Sequence, residues 1–221
     1  MQPTNRSIVS TGMPSTRIDP HALLLAEYIH RSANDFAIAC AEINGARRAA
    51  TFDGARDRLA IVGDRLLSLA AIQRLLQVPG TATMDLGGKL CELSHHHAQA
   101  RFVEKGIFVR ICAAEVPVDS RRGGIVLMIV SELLTNAARH AFASPGGMVD
   151  ILLTRCDGEI RCRVTDDGIG IPPARAMSGS GSAIITALAL EAGIQLSARA
   201  CPVGTSVELR MPIELAVAPG P

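Results

Sequence analysis

The spacing of apolar residues changes once along the chain, and that change limits the folds open to it. Before residue 80 apolar side chains recur at intervals of three and four; beyond about 85 several stretches alternate every second position. In the first region Ala22, Leu25, Ile29, Ser32, Phe36, Ala39 and Ile43 form one helical seam with a single polar member. Asp19-Pro20 supplies its start signal. After "TFDG", Leu59, Val62, Leu66, Leu69, Gln73 and Leu76 repeat the same spacing until "VPGT" ends it. Two helices with narrow seams make a hairpin that cannot bury both seams well alone. Pairing two hairpins into a four-helix bundle does so, which predicts a homodimer. The alternative is that both helices pack onto the rest of their own chain.

The second region reads as a mixture of helices and hairpin-joined strands. A polar helix, "LGGKLCELSHHHAQARFVEKG", precedes an alternating strand, "IFVRICA". An apolar helix follows over 122–142, then a strand with Val149, Ile151 and Leu153 on one face. Asp157-Gly158 is a hairpin turn signal, and Ile160, Cys162 and Val164 alternate after it. "GSAIITALALEAG" is a helix with a glycine stop, and two last strands end in "GTSVELRMPI". The expected class is α+β: an N-terminal two-helix hairpin forming a dimeric bundle, then an α/β sandwich with helices on one face of a mixed sheet. The expected divisions are a disordered tail over 1–18, the hairpin over 19–80, and the sandwich over 85–215.

Composition narrows the function. The net charge of +1, one Tyr, no Trp and five Phe argue against nucleic acid as the main partner. "GGIVLMIV" is far too short to span a bilayer, and the polar N-terminus carries no hydrophobic signal region, so a soluble, cytoplasmic protein with no sensor domain ahead of the hairpin is expected. Six cysteines form no C-x-x-C pair, which reads as reduced thiols. Adjacent His95, His96 and His97 point about 100° apart on a helix and cannot converge on one metal ion. A solvated helix face is expected there.

Glu132, Asn136 and Arg139, spaced by four and three, form a polar stripe on the otherwise apolar helix. Asp166 and Asp167 end a strand and lead into Gly168 and Gly170. A carboxylate there can accept a hydrogen bond from an exocyclic amine such as that of adenine; alone, the stretch is equally an Asp-Gly turn. Gly179 and Gly181 precede a helix, where backbone amides suit phosphate, though glycine–serine loops are common. Order raises both signals: E-x-x-x-N on a helix, D-x-G-x-G after a strand, G-x-G opening a helix, then "GTSVEL" in a late strand. On this reading Glu132 and Asn136 face a nucleotide, Asn136 can hold Mg²⁺ through its side-chain oxygen, and Arg139 can reach a phosphate.

With "ELLTN", "DDGIG", "GSG" and "GTS" in that order, residues 85–213 resemble the ATP-binding domain shared by sensor histidine kinases, gyrase-type ATPases and the Hsp90 chaperones. The resemblance implies that Asp166 binds the adenine amine, that Glu132 polarises the attacking group or a water, and that Asn136 ligates Mg²⁺. It implies that Gly168, Gly170, Gly179 and Gly181 shape the pocket and its lid, and that Thr205 supports the adenine end. "HRSANDF" resembles the phosphoacceptor box of a bacterial histidine kinase subgroup that reads roughly H-R-V-K-N-x-L. His30 is then the phosphoacceptor, flanking the seam beside Ile29, with Asn34 and Glu27 placed to orient the ring or take its proton. Ala33 replaces the motif's lysine, the stretch from Pro173 to Gly179 is short for an ATP lid, and the tryptophan that marks one branch is missing.

The resemblance implies a soluble, dimeric histidine kinase that uses ATP and Mg²⁺. It would autophosphorylate His30 and pass the phosphoryl group to an aspartate on a response-regulator receiver domain. The alternative is an ATP-independent histidine phosphotransferase with a degenerate kinase domain, though such proteins usually lose signals that are intact here. A serine-phosphorylating switch kinase of the same superfamily would lack the hairpin.

Overall fold

The computed structural model describes residues 20–77, 82–170, 180–201 and 203–213, without the side chains of 20–28, 30, 31, 180–184 and 200. The expected tail over 1–18 and Gly179 lie outside the described residues.

The first helix, α1 (Pro20–Arg47), starts with proline at its first position, where the missing N–H is no loss. The second, α2 (Phe52–Leu76), is capped by Thr51, whose hydroxyl oxygen accepts from the Gly54 amide at 3.1 Å. Only part of the expected seams is covered. Ala39 and Val62 are buried, while Ile29, Phe36 and Leu59 remain about half or more exposed, at 58%, 66% and 49%. Toward its C-terminus α2 turns inward: Ile72 joins the common core, with Leu69, Leu75 and Leu76 packed against it. The packing seen is that of the alternative, α2 on the rest of its own chain. One face of α2 seats on the rest of the chain, and much of the seam stays uncovered.

Strands β1 (Thr83–Asp85) and β3 (Pro117–Asp119) form a small antiparallel pair that the apolar pattern does not announce. Asp85 ends the first and caps α3 (Leu86–His97), accepting from the Gly87 and Gly88 amides at 3.1 and 2.9 Å and from the Val116 amide at 3.1 Å. A π turn, Ala98–Phe102, and a tight turn, Val103–Lys105, carry the chain into β2 (Ile107–Ala113). Asp119 caps α4 (Ser120–Asn136), which continues as a second π turn, Ala137–Ala141. The remaining elements are β4 (Gly147–Cys156), β5 (Glu159–Asp166), α5 (Ser180–Glu191), β6 (Gln195–Ala200) and β7 (Thr205–Pro212).

The main sheet is mixed, in the order β2-β4-β5-β7-β6. β2 and β4 run parallel, which needs a crossover, and α4 supplies it; the other pairs are antiparallel. Asp157 and Gly158, at φ 53° and 77°, make the tight turn between β4 and β5. Val149, Ile151, Leu153, Ile160, Cys162, Leu209 and Met211 point from one face of the sheet into a core shared with Leu90, Leu93, Leu127 and Leu134. Each such leucine contributes roughly 2 kcal/mol by leaving water. The opposite face is ionic: Arg110 pairs with Asp150 at 2.5 Å, and Glu208 with Arg210 at 2.5 Å and Arg163 at 3.5 Å. Helices on one face of a mixed sheet is the expected arrangement. Among the described residues no helix is long and apolar enough to cross a membrane.

Two readings of α3 need correction. It is not a polar helix, because Leu86, Leu90 and Leu93 are fully buried along one stripe. His97 continues that stripe and is fully buried too, so the histidine run is solvated at His95 and in part at His96 but not at its last member. Spacing explains it: 86, 90, 93 and 97 are four, three and four apart.

Candidate active site

The site is built where three backbone segments meet at the ends of α4, β5 and β7. Asp166 closes β5 and lies across the ladder from Thr205, the first residue of β7, which is buried. The Asp166 carboxylate accepts from the Gly168 amide at 3.1 Å. Burial pushes its carboxyl above the usual range, and the Gly168 and Thr205 backbone amides oppose that by favouring the charged form. A half-buried carboxylate held this way presents its remaining oxygen capacity to a donor such as an exocyclic amine.

Glycine is needed at two points here. A methyl carbon on Gly168 would stand 2.2 Å from the Ala141 carbonyl oxygen, and one on Gly204 would stand 1.7 Å from the Asp166 carbonyl oxygen. The D-x-G-x-G loop is thereby pressed between the end of the α4 π turn and the turn before β7. The Ile169 amide donates to the Ala141 carbonyl at 2.8 Å. Asp167 pins the loop to β4, accepting from the Met148 amide at 2.7 Å. Gly170, at φ 72°, comes next and faces the Gly204 carbonyl.

Glu132 and Asn136 are half-buried on α4, one turn apart, with Asn136 its last residue. Arg139 is exposed within the π turn. That turn is wider than an α turn, so a spacing of three no longer stacks Arg139 over Asn136. The single stripe expected from the sequence is therefore interrupted at its last member. Gly181 lies in the first turn of α5. His30 lies within α1, and its side chain is outside the described ones.

Three contributors escaped the sequence reading. Gly204 belongs to the "GTS" box, whose glycine was the available signal. Lys105 donates to the Ala138 carbonyl inside the π turn at 2.5 Å; nothing in its spacing announces this. His97 bonds Ser131, the neighbour of Glu132, through Nε2 at 3.0 Å. Burial, helped by Arg101 and His96, drives its pKa down to about 3, so its ring is neutral.

Residues 124–215 match the family model described as histidine kinase-, DNA gyrase B- and HSP90-like ATPase. Blue-light-activated histidine kinase 2 of Erythrobacter litoralis is 28% identical over 201 residues, covering 86% of this chain and 57% of the relative. Sensor histidine kinase PdtaS of Mycobacterium tuberculosis is 27% identical over 197 residues, covering 86% and 39%. The chain thus spans little more than half the length of the first relative and less of the second. A solved bacterial phosphotransferase superposes with a TM-score of 0.65 at 15% identity, over 89% of this chain and 98% of that one, a likeness of fold.

Proposed function

Taking residues 124–215 as a domain of the histidine kinase, gyrase and Hsp90 type of ATPase, we propose that this chain is an ATP-dependent protein-histidine kinase of two-component signalling. The observation that carries the reading is the convergence at Asp166. The strand-end carboxylate, the Gly168 loop, the end of the π turn and the Gly204-Thr205 turn meet at one point.

In the proposed site the Asp166 carboxylate accepts from the adenine amine, with Thr205 at the same end. Asn136, Arg139 and the amides around Gly179 and Gly181 serve the phosphates. The Asn136 amide oxygen fits Mg²⁺, an oxygen-seeking ion held by one or two protein groups together with substrate phosphates. When bound, Mg²⁺ neutralises phosphate charge. Gly168 and Gly170 shape the pocket by letting its loop pack against the Ala141 and Gly204 backbone.

A ring nitrogen of neutral His30 attacks the γ-phosphorus in line. The N–P bond forms as the bond to the ADP oxygen breaks, and the ring proton passes to Glu132 or to a neighbour on α1. Positioning does most of the catalysis. The phosphoryl group then passes to an aspartate of a receiver domain docked beside His30. The proposed assembly is a cytoplasmic homodimer through the hairpin, with divisions near 19–80 and 85–215.

Incubation with γ-labelled ATP and Mg²⁺, comparing wild type with His30→Ala and Asn136→Ala, tests this. Acid-labile, base-stable label on the wild type alone supports the kinase. No label, but acceptance of a phosphoryl group from a phosphorylated receiver, supports the phosphotransferase instead. Acid-stable phosphoserine on a partner would replace both.

A further inference from the structure

The π turn Ala137–Ala141 links the two ends of the nucleotide site, and a residue from outside every motif holds it. Its last carbonyl, at Ala141, accepts from the Ile169 amide at 2.8 Å and so touches the Asp166 loop. Its first residue follows Asn136 directly, and Arg139 lies within it. A π turn is a strained insertion that persists where its surroundings fix it, and it recurs at functional sites. Here Lys105 does the fixing. Its ammonium donates to the Ala138 carbonyl at 2.5 Å, and its own carbonyl accepts from the Gly146 amide at 2.8 Å, on the loop that leaves the turn. Lys105 is itself placed by the tight turn Val103–Lys105 and by Gly106, at φ 64°, before β2. Among the described residues its ammonium meets a peptide oxygen and no carboxylate. A charged donor on a neutral carbonyl is stronger than an ordinary amide bond, so it can hold a turn that the helix ladder does not.

We propose that Lys105 is a positioning residue for the phosphate end of the site: by clamping the Ala138 carbonyl it sets the pitch of the π turn, and with it the direction in which Asn136 and Arg139 meet the phosphates of a nucleotide. The inference rests on the ATP reading. It also predicts an asymmetry: the clamped Ala138 carbonyl lies between Asn136 and Arg139, whereas the Asp166 loop meets the turn only at its far end, Ala141, and is held as well by Asp167 on the Met148 amide and by Gly204.

The test is calorimetric titration of the whole chain with Mg²⁺–ADP and, separately, with adenosine. Wild type is compared with Lys105→Met, which keeps length and loses the donor, and Lys105→Arg, which keeps a donor. Lys105→Met should weaken Mg²⁺–ADP binding about tenfold while leaving adenosine within about twofold, and Lys105→Arg should restore most of the loss. Melting within a few degrees of wild type would accompany this. Equal ADP affinity in Lys105→Met, or equal loss for ADP and adenosine, overturns the inference but leaves the ATP reading standing. Wild type that binds neither ligand overturns the ATP reading itself. If Lys105→Met does not fold, Lys105→Leu, which also lacks a donor, carries the same comparison.

Discussion

Arg101 grips Asp35 through two parallel bonds, Nη1 to Oδ1 at 3.1 Å and Nη2 to Oδ2 at 2.9 Å, with both side chains largely out of solvent. Asp35 lies on α1, five residues beyond His30, and Arg101 lies in the π turn after α3. The pair therefore ties the hairpin to the second half of the chain at one place.

Removing one partner should cost more than removing both. Asp35→Ala leaves a guanidinium with little solvent and no counter-charge, and should destabilise the chain by about 3 kcal/mol. Asp35→Leu combined with Arg101→Met should recover much of that. Urea denaturation of wild type and the two variants reads the difference.

His97 gives the stability a pH dependence above the range of the carboxylates. Its folded pKa is lowered from 6.5 to about 3, so the unfolded chain takes up a proton that the native chain refuses. Stability is full above pH 6.5 and falls as the pH drops from there toward 3. Between pH 7.5 and 5.5 the loss should be about 1.4 kcal/mol from this residue alone. Denaturation at the two pH values, in wild type and His97→Asn, checks it: the variant should show a smaller difference.

Gly204 should be as intolerant as any motif residue. In Gly204→Ala the new carbon meets the Asp166 carbonyl oxygen at a φ of 78°, so β5 and β7 must part where Asp166 and Thr205 face each other. Nucleotide affinity should fall at least about tenfold, which fluorescence titration with an ATP analogue measures. Gly63→Ala, an open helical position with nothing near the added carbon, should leave affinity unchanged.

The exposed apolar side chains of the hairpin should find a second copy. Ile29 and Phe36 on the first seam, with Ile61 and Leu67 beside the second, leave apolar area at exposures of 58%, 66%, 50% and 66%, a feature of interfaces rather than of free helices. Sedimentation should give a dimer for wild type and a monomer for the double variant Phe36→Glu, Leu67→Glu.

The sheet was legible because its strands alternate cleanly: Val149, Ile151 and Leu153, then Ile160 and Cys162, all face the core as their spacing requires. The motif boxes stand out in the sequence because three combine a polar side chain with a glycine at fixed spacing, and "ELLTN" sets two polar side chains four apart on an apolar helix. What stayed hidden depends on distance in space. A run of three histidines looks the same whether its last member is wet or buried, and only the leucines four and seven positions before His97 decide it. The π turn has no composition of its own, so the α-helical spacing misplaced Arg139 relative to Asn136. Lys105 bonds a peptide oxygen, and no pattern of side chains records that.

The account stands or falls on where the γ-phosphoryl group of ATP goes. Wild-type chain should be incubated with ATP and Mg²⁺, digested at neutral or alkaline pH, and its phosphopeptides sequenced by mass spectrometry. The account predicts a single acid-labile phosphoryl group on His30, absent from Asp166→Ala. A chain that binds ATP but carries the phosphoryl group elsewhere, or carries it on His30 with Asp166 replaced, would contradict it.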